Sequence, residues 1–405
     1  DSDALGQEFR LTSQGDGPIS WMTGAYYYDN DFTRGSLSPN EPILVLGPDI
    51  VPLPAPFNGA AGDQSSFRSL NDTRHWSLFG QLDWQATERT KLSAGLRYID
   101  EKKSIDVRSN YLVAALPSLA LNTTVPTPVV AERSMDGLAW NLSALFDVAA
   151  DTTVYATVSE GYKAGGYNGD WDASGALTAA KREFDDESVL NLEAGLKSRF
   201  WDGQATLNLS VFRSEFDDFQ NASFLGLNFL VRNAESVVTQ GIELDGSVRP
   251  VTGLTIDYAI AYLDAEYDKF TRGACYFGRT PTNAAERTCD LSGETLPNAP
   301  TWRSNLGAQF EQPLATGTGF LRADWSYSSE LNVDTALDPR AEQGSYSLLS
   351  ARLGWRNDRY SVSVWGDNLT DETVMTAAGP QTIFGGIDGG LQIYLNESRT
   401  YGVTM

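Results

Sequence analysis

The feature that most constrains this chain is a strict two-residue alternation of apolar and polar residues, repeated along its length. In residues 190–197, Leu190, Leu192, Ala194 and Leu196 share one side, with Asn191, Glu193, Gly195 and Lys197 on the other. Ala205, Leu207, Leu209 and Val211 likewise oppose Thr206, Asn208 and Ser210. Side chains alternate faces along a strand, so each segment reads as a strand with one apolar and one wet face. Helical spacing would scatter these sets.

Fifteen such segments are centred near Leu11, Ala25, Leu78, Ala94, Leu142, Ala156, Ala194, Leu209, Leu244, Tyr258, Leu306, Ala323, Leu353, Val364 and Val403. Short connections include 14–18, 85–90, 199–203, 250–253 and 356–359. Long ones run roughly over 31–75, 101–137, 164–188, 217–240, 265–300, 329–345 and 370–398. Short turns on one side and long loops on the other are the layout of an outer-membrane β-barrel, with the turns periplasmic and the loops extracellular. Trp84, Phe146, Phe200, Trp201, Phe310, Phe320 and Trp355 lie beside the short turns, where a barrel carries an aromatic girdle. Fifteen is an odd count, and an open sheet leaves edge N–H and C=O groups in hydrocarbon. The expectation is therefore an all-β, antiparallel, up-and-down transmembrane barrel of which part is present, with a strand count off by one as the alternative.

Composition fits this class. No run of about 18 apolar residues exists for a membrane helix. The mean hydropathy of −0.29 suits strands that are apolar on one side only. A net charge of −23 makes nucleic acid a poor partner, because binding it calls for a basic patch. The two cysteines, Cys275 and Cys289, sit in one polar segment and read as a disulfide, with two free thiols as the alternative. No signal peptide opens the chain, so the start is either processed or internal to a longer protein.

The catalytic inventory is poor, and no enzyme is expected. His75 is the single histidine and reads as a polar residue at the rim. No cofactor site and no metal ligand set is expected, although the acidic runs Asp185-Asp186-Glu187 and Glu215-Phe216-Asp217-Asp218 carry oxygen ligands of the kind Ca²⁺ takes. The segment from Gly161 to Trp171 concentrates aromatics and amides at the top of an upward strand. Ligand contacts are accordingly placed at Tyr162, Tyr167, Asn168 and Trp171 in that loop, and at Arg97, Lys163 and Arg213 as inward residues near the mouth.

Several stretches resemble the TonB-dependent outer-membrane receptor family. They include Ala94-Gly95-Leu96-Arg97-Tyr98, Tyr155 to Gly166, Leu192 to Ser198, Leu296-Pro297-Asn298-Ala299-Pro300, Asp367 to Glu372 and the final Arg399-Thr400-Tyr401-Gly402-Val403. The resemblance implies that residues 1–405 are about 15 of an expected 22 barrel strands, without the N-terminal plug and first strands. It further implies a monomer in the bacterial outer membrane, among lipid and lipopolysaccharide. Its expected role is uptake of a scarce ligand (ferric siderophore, haem, cobalamin or oligosaccharide) driven through the TonB–ExbB–ExbD complex, which would act on the missing N-terminal part. The acid excess does not favour an anionic ferric siderophore. The alternative is a passive porin.

Overall fold

The computed structural model describes residues 1–39, 43–46, 49–52, 64–111, 128–169, 178–225, 228–380 and 389–405. Fifteen strands form one antiparallel sheet in which each pairs with its sequence neighbour. They are β1 (Ser2–Thr12), β2 (Ile19–Pro39), β3 (Gln64–Thr87), β4 (Thr90–Tyr111), β5 (Val129–Ala149), β6 (Thr152–Lys163), β7 (Glu187–Phe200) and β8 (Ala205–Leu225). The rest are β9 (Asn228–Val251), β10 (Leu254–Lys269), β11 (Trp302–Leu314), β12 (Gly317–Ser328), β13 (Tyr346–Arg356), β14 (Ser361–Asp367) and β15 (Thr400–Thr404). Every centre read from the alternation falls inside one of them. The sheet is open, with β1 and β15 as its edges.

The two faces differ as the alternation requires. Leu78, Leu96, Leu142, Leu192, Leu209, Ile242, Ile260, Leu306 and Leu353 stand exposed on one face, which we call outward. Polar pairs such as Asn208 with Asp245 and Ser214 with Asn191 occupy the inward face. Directly paired residues trace the line Trp21, Leu82, Ala94, Leu142, Val158, Leu192, Arg213, Gln240 and Asp264 across the sheet. The line starts beside a short turn and ends near the long-loop end, so the strands are tilted, as closure into a barrel demands.

Three readings need correction. First, strands extend far into segments read as loops. The span 217–240 is mostly the tops of β8 and β9, which pair from Ala205 with Val248 up to Leu225 with Asn228. The backbone ladder continues there after the apolar pattern has ended, which is why alternation could not show it. Second, Phe320 is not in the outward girdle; the Arg356 guanidinium lies over its ring on the inward side, 5.6 Å from the centroid. Third, Arg213 is outward, on the same face as Leu209 and Val211, and pairs directly with the outward Leu192.

Buried apolar side chains gather at the long-loop end. Ala234, Val237, Tyr267, Phe270, Cys289 and Leu291 form one cluster, joined by Phe216, Phe219, Leu296 and Leu337. Cys275 and Cys289 are disulfide-bonded beside it, with Cα atoms 5.2 Å apart.

Candidate functional site

The inward wall toward the long loops carries the densest polar network. On β3 and β4, residues 75 and 97 share the inward face with Phe79 and Glu101. Arg97 Nε donates to Ser77 Oγ at 3.1 Å, and its Nη2 lies 3.4 Å from His75 Nε2. His75 Nδ1 is 2.9 Å from Glu101 Oε2, and Lys103 Nζ is 3.0 Å from Glu101 Oε1. His75 is thus a member of the inner-wall network and not an isolated rim residue. The cross-strand register of β3 and β4, with both residues at odd positions, was the signal for it.

The segment after β6 folds back against this wall. Lys103 Nζ donates to Gly165 O at 2.8 Å. Arg133 Nη1 donates to Phe184 O at 2.6 Å, and its Nη2 to Asp186 Oδ1 at 3.2 Å. Gly165 N also donates to Asp186 Oδ1, at 2.8 Å. A side chain at Gly165 would run into the Phe184 carbonyl, 2.4 Å from an ideal Cβ, so the close approach needs glycine. The Asp185 carboxylate also faces Arg133, and Glu187 Oε2 accepts from Gln220 N at 2.6 Å. The first acidic run is therefore engaged with an arginine and backbone donors. In the second, Glu215 accepts from Arg213 on the outward face.

The proposed contact residues separate on this geometry. Arg97 faces inward. Tyr162 packs its ring over Gly137, and its buried hydroxyl has no hydrogen-bond partner. Lys163 is exposed, with Nζ 3.7 Å from Glu187 Oε2. Tyr167 packs on the buried Ile105 and Val107. Asn168 is buried as a clamp: its Nδ2 donates to Arg182 O and Val231 O, and its Oδ1 accepts from Val231 N. Tyr167 and Asn168 thus hold the loop to the wall. Arg213 points away from the interior, bonded to Glu215 and Gln240. Trp171 lies outside the described residues.

Beside Arg97 the inner wall has a recess of about 450 Å³, lined by Phe79, Gln81, Arg97, Asn141, Ser159 and Asn191 among others. Arg97 lies 5.8 Å from the ring centroids of both Tyr26 and Phe79. A larger apolar groove of about 840 Å³ runs over Leu82, Ala94, Leu142, Ala156 and Leu192 on the outward face, where it meets lipid. Among the described residues no cluster of three or more His, Cys, Asp or Glu side chains is arranged to hold a metal ion.

Comparisons with known proteins agree with this architecture. The family described as "TonB dependent receptor-like, beta-barrel" matches residues 2–369. The pesticin receptor of Yersinia pestis is 24% identical over 329 residues, which cover 81% of this chain and 42% of that protein. The crystal structure of the ferric yersiniabactin uptake receptor FyuA from Yersinia pestis superposes with a TM-score of 0.76 at 21% identity, covering 99% of this chain and 53% of that one. The siderophore receptor PiuA from Acinetobacter baumannii gives 0.68 at 18% identity, covering 99% of this chain and 55% of that one. The chain therefore spans about half the length of the proteins it matches.

Proposed function

We propose, from the premise that this chain belongs to the TonB-dependent receptor β-barrel family, that it is the wall of an active transporter importing a scarce ligand. The family places it in the outer membrane of a Gram-negative bacterium, and its members are receptors and transporters, not enzymes. The observation that carries the reading is the division of faces. The outward side is apolar over a tilted band, and the inward side is polar and ends in the network of His75, Arg97, Glu101, Lys103 and Arg133. A wall of this kind spans a bilayer while presenting hydrogen-bonding groups to a passing solute.

In this reading the outer end captures the ligand, and energy arrives from the TonB–ExbB–ExbD complex through a part of the receptor outside this chain. Ferric siderophores are the favoured cargo class, because the pesticin and ferric yersiniabactin receptors are among the relatives. A passive pore is the second reading. It draws support from the segments 165–168 and 183–186, which lie against the inner wall as an inward-folded loop would. Uptake of a radiolabelled ferric siderophore by cells, with and without a protonophore, separates the two. Uptake abolished by the protonophore supports the transporter; uptake unchanged, with steady conductance in planar bilayers, supports the pore.

A further inference from the structure

We propose that the β6–β7 connection and the top of the β8–β9 hairpin form an acid-tightened clamp over the mouth of the barrel, in which Asp218 takes up the proton that tightens it. The inference goes beyond the transport reading and holds equally for a passive pore.

The clamp is built from neutral amides. Asn168, on the β6–β7 connection, holds Val231 of β9 with both ends of its side-chain amide. The next residue, Gly169, lies against β3, where an added Cβ would come within 2.8 Å of Ser69 Oγ. β3 and β9 are six places apart in the sheet, so the hairpin top leans inward over the lumen to make this contact. Asn233 of β9 adds three bonds: its Nδ2 donates to Asp185 O and Asp218 O, and its Oδ1 accepts from Asp185 N. Gln220 of β8 donates to Ala164 O and Asp185 O, at 3.1 Å each. These side chains do not titrate.

What the clamp presses together does titrate. β8 and β9 pair Asp217 with Ser236 and Phe219 with Ala234, but Asp218 and Glu235 between them are left out of the ladder. Asp218 sits there at φ 53°, in the left-handed region. It faces Asp185 and Asp186 on the connection, Asp217 on β8 and Glu235 on β9, and each of these raises the cost of its charge. Like charges set opposite one another on a ladder destabilise it. The cations on the packed elements are engaged elsewhere: Arg133 with Asp186, Lys163 with Glu187 and Lys269 with Glu235.

Of the two carboxyls on that rung, Asp218 is the one that gives way. Burial would raise Glu235, but hydrogen bonds from Thr271 N and Oγ1 outweigh it and hold Glu235 below the ordinary carboxylate range. Among the described residues no donor reaches the Asp218 carboxylate. Desolvation and the surrounding acids push it above that range. A carboxyl raised in the closed clamp contributes fully below the ordinary carboxylate value, about 4, and loses that contribution as pH rises through the raised value. The clamp is therefore tightest in acid. Asp218 is exposed, so protons from the medium reach it.

The test is hydrogen exchange at pH 4.5 and pH 7.5, corrected for intrinsic rates, on the receptor purified in detergent from its source outer membrane. Wild type should be several-fold more protected at pH 4.5 in segments 183–187, 217–225 and 228–235, where Asp185 N and Val231 N bond to Asn233 and Asn168. Asp218→Asn, nearly isosteric and suited to a left-handed backbone, should remove the pH dependence and keep these segments protected at pH 7.5. That result also separates Asp218 from His75, which lies on β3 against Glu101 and Arg97. If Asp218→Asn does not fold, Asp185→Asn removes one facing charge and should shrink the pH dependence. Asn233→Ala should lose protection at both pH values. No gain of protection in acidified wild type, a full gain that survives in Asp218→Asn or Asp185→Asn, or protection untouched by Asn233→Ala would each overturn the proposal.

Discussion

Two sectors of the sheet rise above the apolar band by different means. From β2 to β5 the strands are 21–24 residues long, although about 9–11 residues suffice to cross a bilayer. There the ladder simply continues, and the outward residues change from apolar to charged, as in the exposed pair of Lys102 with Glu132 at 2.7 Å. From β11 to β15 the strands have 5–13 residues. The chain beyond them is ordered by folded loops. Asn298 N donates to Asn332 O at 2.8 Å, Arg340 Nη1 to Gly389 O at 2.8 Å and Met375 N to Gln343 Oε1 at 2.7 Å, tying successive loops together. One sector depends on backbone pairing with neighbours near in sequence. The other, together with the 270–301 loop that leads into it, depends on packing, one covalent link and buried carboxylates.

That contrast makes the loop sector the more fragile one, most of all to loss of packing. Phe270→Ala should cost about 3–5 kcal/mol, because a fully buried ring is removed from the small cluster around Tyr267 and Leu291. Limited proteolysis should then cut within residues 270–301 while β2–β5 stay protected. Cleavage spread evenly over both sectors would break the comparison.

Reduction of the Cys275–Cys289 bond should act in the same direction, by roughly 3 kcal/mol in the chain-entropy model. The expected readout is earlier thermal exposure of that loop to protease, with hydrogen exchange in β2–β5 unaltered. Equal protection before and after reduction would show that the packing alone holds the loop.

A smaller effect should come from pH. Burial would raise the Asp338 carboxyl, but hydrogen bonds from Arg340 outweigh it and hold Asp338 below the usual carboxylate range. Its stabilisation is present above the ordinary carboxylate value, about 4, and fades as pH falls through its lower folded value. Asp334 has the opposite sign: burial raises it, so its contribution is present at low pH and lost as pH rises. In Asp334→Asn only the Asp338 contribution remains, so acidification should loosen the 329–345 loop; in Asp338→Asn only that of Asp334 remains, so acidification should tighten it. Hydrogen exchange between pH 6 and pH 3 reads both, and the same direction of change in the two variants would reverse the assignment.

The same contrast explains what the sequence made legible. Strand positions could be read because a two-residue period is local, and every centre from Leu11 to Val403 lies in a strand. Arg213 is legible too: its place two residues beyond Val211 puts it outward, against the expectation that a charge near the mouth faces inward. Tyr167 and Asn168 were not legible as anchors. Their partners, Ile105 and Val231, lie more than 60 residues away and follow no period. The loop core has the same difficulty, since Val237, Phe270 and Leu291 come together only through tertiary packing. The recess at Arg97 needed the register of β3 against β4, which sets His75 opposite Glu101 and Phe79 opposite Arg97.

One face of each of the fifteen sheet strands is set toward lipid and the other toward the lumen. The most direct measurement is the folding free energy into bilayer vesicles of Leu209→Arg beside that of its neighbour Asn208→Arg. Leu209 is exposed on the outward face, and Asn208 donates to Asp245 on the inward face. The expected cost is roughly 2–4 kcal/mol for Leu209→Arg near the bilayer midplane, with a mild effect for Asn208→Arg. Equal costs, or a larger one at Asn208, would contradict it.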